Sequence, residues 1–338
     1  MNILLTGGMG YIGSHTALTL AAEGHNVVLY DSLINSKPAV QSCLKIISGK
    51  TIPLIKGDVR NTEKLQKTLA DYNIDAVIHF AALKSVGKSS ENPIDYYDNN
   101  VSGSISLLKA MHATNIKTLV FSSSATVYGD PKYLPLDEKH PTNATNPYGR
   151  SKLQIEEILA DVAKSDSEWR IVCLRYFNPV GAHSSGLIGE DPNGIPNNLM
   201  PYIACVACGK LPHLNIFGND FSTNDGTGVR DYIHVMDLAE GHKAALNYLA
   251  SSNGWHVINL GTGTGYSVME MVSAFEAASN KTIPYQIKSR RLGDVAICYA
   301  STEKAKQQLK WQAKKTLIEM CGSIWKFQSQ ISETRTDD

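Results

Sequence analysis

Asn2-Ile3-Leu4-Leu5-Thr6-Gly7-Gly8-Met9-Gly10-Tyr11-Ile12-Gly13 reads as a short apolar strand that runs straight into glycines at 7, 10 and 13. A helical pattern follows from Ser14 to Glu23. Glycine permits the tight turn and lets backbone N–H groups approach a pyrophosphate at the positive end of a helix. The spacing differs by one residue from the commoner G-x-G-x-x-G turn, but the physics is shared.

Outward from this turn, apolar β-branched runs recur at Asn26–Tyr30, Ile52–Lys56, Ala76–Phe80, Thr118–Ser122 and Arg170–Tyr176. Helical patterns lie between most of them, as at Glu63–Asp71, Asp98–Thr114 and Tyr148–Lys164. Near-continuous apolar strands alternating with helices predict an α/β fold, a doubly wound parallel sheet (Rossmann) covered on both faces. Past about Asn178, Gly and Pro become frequent and the helical segments shorten. This predicts an NAD-binding domain over 1–177 and a smaller mixed α/β substrate domain over 178–338. Segments around 230–245 are expected to pack back on the first. Ser332 to Asp338 are polar and expected to fray.

The second strand ends at Asp31, where a carboxylate accepts hydrogen bonds from a ribose 2′-hydroxyl and repels a 2′-phosphate, so NAD is favoured over NADP. Asp58 supplies another carboxylate at the same sheet edge.

Tyr148 and Lys152 sit four apart just after Pro147, at the entry to a predicted helix, and so share a face. A phenol of ordinary pKa near 10 is a poor base at neutral pH. The ammonium, together with the positive nicotinamide of NAD⁺, is expected to lower it. Tyr128 and Lys132 repeat the spacing, but Gly129 and Pro131 between them argue against a helix. Ser122, Ser123 and Ser124 end a strand, where hydroxyls point into the ligand crevice of such a sheet. Ser124 is expected to bond the substrate hydroxyl and relay its proton. For Ser122 and Ser123 a turn-capping role fits equally well.

Lys plus Arg total 32 and Asp plus Glu total 32, so no global field attracts nucleic acid or a membrane surface. Neither partner is expected. No signal peptide or long apolar run is visible, and six scattered cysteines suit reduced thiols, which predicts a cytoplasmic protein. The sequons at Asn100 and Asn143 would then go unglycosylated. Cys205-Val-Ala-Cys208 has no second pair nearby, so no metal site is expected; His234 and His242 are read as packed or solvated.

Gly-Gly-x-Gly-Tyr-Ile-Gly at 7–13, Ser-Ser-Ser-Ala-Thr-Val-Tyr-Gly at 122–129 and Pro-Tyr-Gly-Arg-Ser-Lys at 147–152 together resemble the extended short-chain dehydrogenase/reductase family. Arg175-Tyr-Phe-Asn-Pro-Val-Gly-Ala182, Asn197-Asn-Leu-Met-Pro-Tyr202 and Val229-Arg-Asp-Tyr-Ile-His-Val235 carry the likeness over nearly the whole chain, toward its nucleotide-sugar epimerases. The resemblance implies a homodimer through helices around Asp98–Met111 and Ser151–Val162. It also implies a cofactor site of Gly7, Gly10, Tyr11, Ile12, Gly13, Asp31, Asn35, Ser36, Asp58, Val59, Phe80, Ala81, Lys84, Asn99, Ser124, Tyr148, Lys152 and Phe177. Toward a UDP-sugar substrate it points to Lys84, Ser124, Tyr148, Asn178, Asn198, Leu199, Asn215, Phe217, Arg230, Arg291, Asp294 and Cys298. Arg230 and Arg291 also make sense unaided, as a forked clamp on a diphosphate, although either could be an ordinary surface arginine.

These parts imply a cycle at carbon 4 of a UDP-linked hexose, with Tyr148, Lys152 and Ser124 as the catalytic residues. Tyr148 takes the 4-hydroxyl proton, directly or through Ser124, while C4 gives hydride to NAD⁺. The 4-keto sugar turns its other face and takes the hydride back. Cys298 stands where family members restricted to plain hexoses carry tyrosine, so the pocket is expected to admit N-acetylhexosamines. Tyr299 could fill the gap if the register slips by one. Two rivals are a nucleotide-sugar 4,6-dehydratase, which carries Thr and an acid where Ser123-Ser124 stand here, and a silent NAD-binding regulator, which typically loses the Tyr or the Lys.

Overall fold

The computed structural model describes residues 1–291 and 293–334, with the backbone alone for Ser332–Thr334. The first half lays down β1 (Asn2–Thr6), α1 (Tyr11–Ala22), β2 (Asn26–Asp31), α2 (Ala39–Ser48), β3 (Leu54–Lys56), α3 (Thr62–Asp71), β4 (Ala76–His79), α4 (Val86–Glu91) and α5 (Pro93–Tyr96). A π-helical segment at Tyr97–Ser102 leads into α6 (Gly103–Ala113), then β5 (Thr118–Ser124), α7 (Pro147–Ser165) and β6 (Arg170–Tyr176). The second half adds β7 (Asn178–Val180), α8 (Leu199–Ala207), β8 (Leu214–Phe217), β9 (Val229–His234), α9 (Val235–Leu249) and β10 (Gly254–Leu260). It ends with β11 (Gly265–Ser267), α10 (Val268–Ser279), β12 (Tyr285–Lys288), β13 (Ile297–Cys298) and α11 (Leu317–Thr334).

Seven parallel strands form the main sheet in the order β10-β6-β5-β4-β1-β2-β3. Alternate residues of each strand sort to opposite faces. Ile3, Leu5, Ile78, Val120 and Val172 join the core under α1, α2 and α9. Leu4, Val77, Leu119, Phe121 and Ile171 join the core under α3, α6 and α7. Both faces of the central strands are therefore covered, which is why these strands read as near-continuous apolar runs. The strand order reverses between β1 and β4, and a ligand crevice opens at the C-terminal ends of strands at such a point.

The sequence reading placed six strands in this sheet; the seventh, β10, comes from the Gly- and Pro-rich half and pairs with β6 from Gly254↔Arg170 to Leu260↔Tyr176. Helix α9 likewise packs on α1. A strand at the sheet's edge depends on a partner far away in sequence, which local periodicity cannot show. The expected helix at Asp98–Thr114 is broken by its π-helical first turns. These aim the buried Asn100 inward, where its side chain bonds both backbone groups of Leu83 and the Ser151 hydroxyl.

The remaining strands make a small mixed sheet of β7, β9, β11 and β13 and a parallel pair, β8 with β12. A separate apolar cluster joins them to α8, α10 and α11. Of the tail expected to fray, Ser332–Thr334 continue α11, and residues 335–338 lie outside the described residues. Among the described residues no helix is long and apolar enough to cross a membrane.

Candidate active site

The glycine turn between β1 and α1 has no room for side chains. Gly7 has φ +68°, and a Cβ there would lie 2.7 Å from the Ala81 nitrogen. A Cβ on Gly13 would lie 2.5 Å from the Gly7 carbonyl oxygen. No side chain caps α1 at Gly10, so its first amides face the crevice without an intrahelical acceptor. A pyrophosphate fits such a cradle.

Asp31, 7% exposed at the end of β2, accepts from the Met9 amide at 3.0 Å with one oxygen. Its other oxygen accepts from the Leu33 amide at 2.8 Å and the Ser36 hydroxyl at 2.7 Å. The carboxylate therefore ties the glycine turn to the loop carrying Ser36, while Asn35 is exposed beside it. Asp58 is held below the usual carboxylate range by the Arg60 guanidinium. Val59 is buried against Gly103. Phe80 and Ala81 follow β4 beside the turn, with the Phe80 amide on Thr6 O at 2.9 Å and its ring 4.8 Å from that of His242. Asn99 donates to Asn100 at 2.9 Å, and Phe177 is buried against Tyr128 and Ala300.

The residues expected to be catalytic meet where α7 packs on the end of β5. Asn146 caps α7 by accepting from the Gly149 amide at 2.9 Å, which places Tyr148 in the first turn. One turn on, Lys152 is 2% exposed and donates to the Ser122 carbonyl at 2.6 Å. Its Nζ lies 4.8 Å from the Phe121 ring centre and 6.0 Å from that of Tyr148. Ser124 borders the crevice and accepts from the Thr126 amide and hydroxyl at 3.2 and 3.0 Å. Ser122 and Ser123 are buried instead, and the Ser123 hydroxyl bonds Glu156. Tyr128 lies in a turn, as its glycine neighbour implied, and its hydroxyl bonds Asn259 at 2.6 Å.

The expected acidification of Tyr148 is not supplied by the protein alone. Burial pushes this phenol up to about 12, against a downward pull from Ser124. Burial also draws Lys152 down to about 7, against upward pulls from Cys173 and Glu156. The ammonium's charge is legible in the sequence and desolvation is not; in so dry a pocket desolvation dominates.

Of the residues expected toward the nucleotide sugar, Lys84 and Asn198 both donate to Glu190, at 3.0 and 2.7 Å. Leu199 starts α8, and Asn178 stands exposed on β7. Arg291 lies 4.4 Å above the Phe217 ring and bonds Asp294 at 3.3 Å, so three expected residues meet. Arg230 is held by the Val229 carbonyl at 2.9 Å, and its strand partner in register is Cys298. Each arginine thus rests on its own partners. Among the described residues the buried Asn215 Oδ1 has no hydrogen-bond partner.

Two features escaped the sequence reading. Glu190 lies in a Gly-Glu-Asp-Pro loop with no local pattern to single it out. Glu156 follows Lys152 by four residues on the face already identified, a signal that was available.

The family described as GDP-mannose 4,6 dehydratase matches residues 4–324. UDP-glucose 4-epimerase of Bacillus subtilis is 54% identical, over 97% of both chains. The crystal structure of UDP-glucose-4-epimerase from Stenotrophomonas maltophila, with bound NAD and formylated UDP-arabinopyranose, superposes with a TM-score of 0.97. It is 48% identical and the match covers 99% of each chain. The Bifidobacterium longum UDP-glucose 4-epimerase, in complex with NAD⁺ and UDP, gives 0.95 at 51% identity over 98% of each chain.

Proposed function

The chain belongs to the UDP-glucose 4-epimerases of the extended short-chain dehydrogenase/reductase family, and we propose that Tyr148, Lys152 and Ser124 carry out its inversion of carbon 4. It interconverts UDP-glucose and UDP-galactose through a 4-keto sugar. The observation that carries the assignment of residues is the buried Lys152–Ser122 contact, one helical turn from Tyr148 and at the end of β5. NAD, when bound, supplies the hydride acceptor and the returning donor. The cradle of Gly7, Gly10 and Gly13, with the first amides of α1, holds its pyrophosphate, and Asp31 its adenosine ribose.

Tyr148 receives the 4-hydroxyl proton, and Ser124 relays it. Lys152, fixed by the Ser122 carbonyl, keeps positive charge near the phenolate. Arg230, Arg291 and Asn215 anchor the UDP end, which leaves the hexose free to turn over between the two half-reactions. Residues 1–177, with α9 and β10, form the cofactor half; the rest of 178–338 grips the nucleotide sugar.

The 4,6-dehydratase reading lacks its acid, since Ser123 is buried and Ser124 stands at the lip. Cys298 supports acceptance of N-acetylhexosamines. It is half-buried beside Tyr128, Phe177 and Ala300, while Tyr299 packs toward Gly265 on the opposite side of the strand. A homodimer through α6 and α7 is supported by exposed Ile105 and half-buried Ile158 and Val162. Six unpaired cysteines fit a reducing cytoplasm.

Purified protein mixed with UDP-galactose, without added NAD, is expected to give UDP-glucose and to reach one equilibrium ratio from either side. No UDP-glucose from protein shown to contain NAD would overturn the reading.

A further inference from the structure

Tyr148, Lys152 and Glu156 fall at successive turns of α7 and line one stripe. The first two face the crevice and the Ser122 carbonyl. Glu156 is 2% exposed, deeper in the same seam, and it is fully engaged. One of its oxygens accepts from Ser123 at 2.5 Å and from Arg175 Nε at 3.0 Å; the other accepts from Arg175 Nη2 at 2.6 Å. Arg175, at the end of β6, is 4% exposed and lies 4.8 Å from the Tyr128 ring centre. Ser123 sits between Ser122, whose carbonyl holds Lys152, and Ser124 at the lip. A single buried carboxylate therefore ties α7 to β5 and β6 directly behind the catalytic pair.

We propose that Glu156 is a positioning residue for the epimerisation, one that locks the end of β5 through Ser123 and holds the ammonium of Lys152 in place by its charge. Arg175 pairs with that carboxylate at 2.6 Å, in a seam closed to water. The anchor fixes both the carbonyl that receives Lys152 and the hydroxyl of Ser124. The carboxylate also opposes the burial that drives Lys152 toward its neutral form. The other groups that face this ammonium are Tyr148 on its own helix, Cys173 on β6, the His79 ring on β4 and the Phe121 ring on β5. Arg175 acts on Cys173 from the same strand.

The inference rests on the proposed roles of Tyr148 and Lys152, and its test is the pH dependence of kcat for UDP-galactose in NAD-loaded protein. Removing a negative charge lowers every proton affinity of the coupled Tyr148–Lys152 pair, so Glu156→Gln is expected to move the whole kcat profile to lower pH by about half a unit to one unit. Its maximum is expected to fall roughly three- to tenfold while KM stays within about twofold, the pattern of a lost transition-state interaction. Glu156→Asp, which keeps the charge, is expected to leave the profile near its wild-type position. A Glu156→Gln profile that coincides with wild type in pH, even with a lowered melting temperature, makes Glu156 merely structural and overturns the proposal. If Glu156→Gln does not fold, Ser123→Ala carries the test. It cuts the anchor while keeping the charge, and must lower kcat severalfold without moving the profile; unchanged kcat overturns the proposal. Wild-type protein that fails to epimerise UDP-galactose sinks the underlying reading instead, and Tyr148→Phe with normal turnover sinks the roles it assigns.

Discussion

Replacing Tyr148 with phenylalanine removes one oxygen from the first turn of α7 and leaves the ring in place. With the phenol pushed up to about 12, the phenolate in the protein alone amounts to roughly one part in ten thousand at about pH 8, a penalty of about 5 kcal/mol. The cationic nicotinamide and Lys152 must offset part of that penalty before Tyr148 can act as a base. A positioned acid–base group contributes about 10²- to 10⁴-fold, so kcat of Tyr148→Phe is expected to fall by that factor. KM is expected to hold within about threefold, because the UDP end is gripped elsewhere. The lost hydroxyl costs about 1 kcal/mol of stability at most, too little to unfold the protein. Release of NAD from the denatured variant, measured by absorbance and an enzymatic assay, is expected to show full loading. Steady-state conversion of UDP-galactose to UDP-glucose gives kcat. A value within tenfold of wild type, in fully loaded protein, refutes the assignment of Tyr148 as the base.

Cys298→Tyr is expected to lower kcat/KM for UDP-N-acetylglucosamine about 10- to 100-fold, since overpacking costs about 1–3 kcal/mol, with little change for UDP-glucose. Equal selectivity in the two proteins, read from a substrate panel, would count against the pocket-size argument. Glu190→Ala removes the acceptor that Lys84 and Asn198 share and is expected to raise KM for the UDP-sugar about fivefold, roughly one charge-assisted hydrogen bond at a partly exposed site; an unchanged KM removes Glu190 from the site. His15 and His79 are drawn by burial from 6.5 to about 3, and His234 and His242 to about 4, so all four fold in the neutral form. The unfolded chain therefore binds more protons between about 4 and 6.5, and the stability that is complete above this window is lost as the pH falls through it. Each histidine contributes a loss of roughly 1 kcal/mol between pH 6.5 and about 5.5. Urea unfolding at the two pH values measures it, and equal midpoints would refute neutral burial.

The sequence by itself determined six of the main sheet's seven strands. Residues such as Ile3, Leu4 and Leu5 are apolar without a break because both faces of β1 are covered, and a glycine at 13 was needed because any Cβ there meets backbone. Tyr148, Lys152 and the serines were legible for the same kind of reason: spacing along one helix or one strand end sets where they stand. Tertiary structure alone decided the rest. β10 needs β6 beside it, Glu190 needs Lys84 and Asn198 brought from distant segments, and Glu156 needs Arg175 opposite. It also decided the sign at Tyr148, because charge can be counted along a sequence, whereas desolvation exists only once the surrounding chain has closed over the group and shut out water.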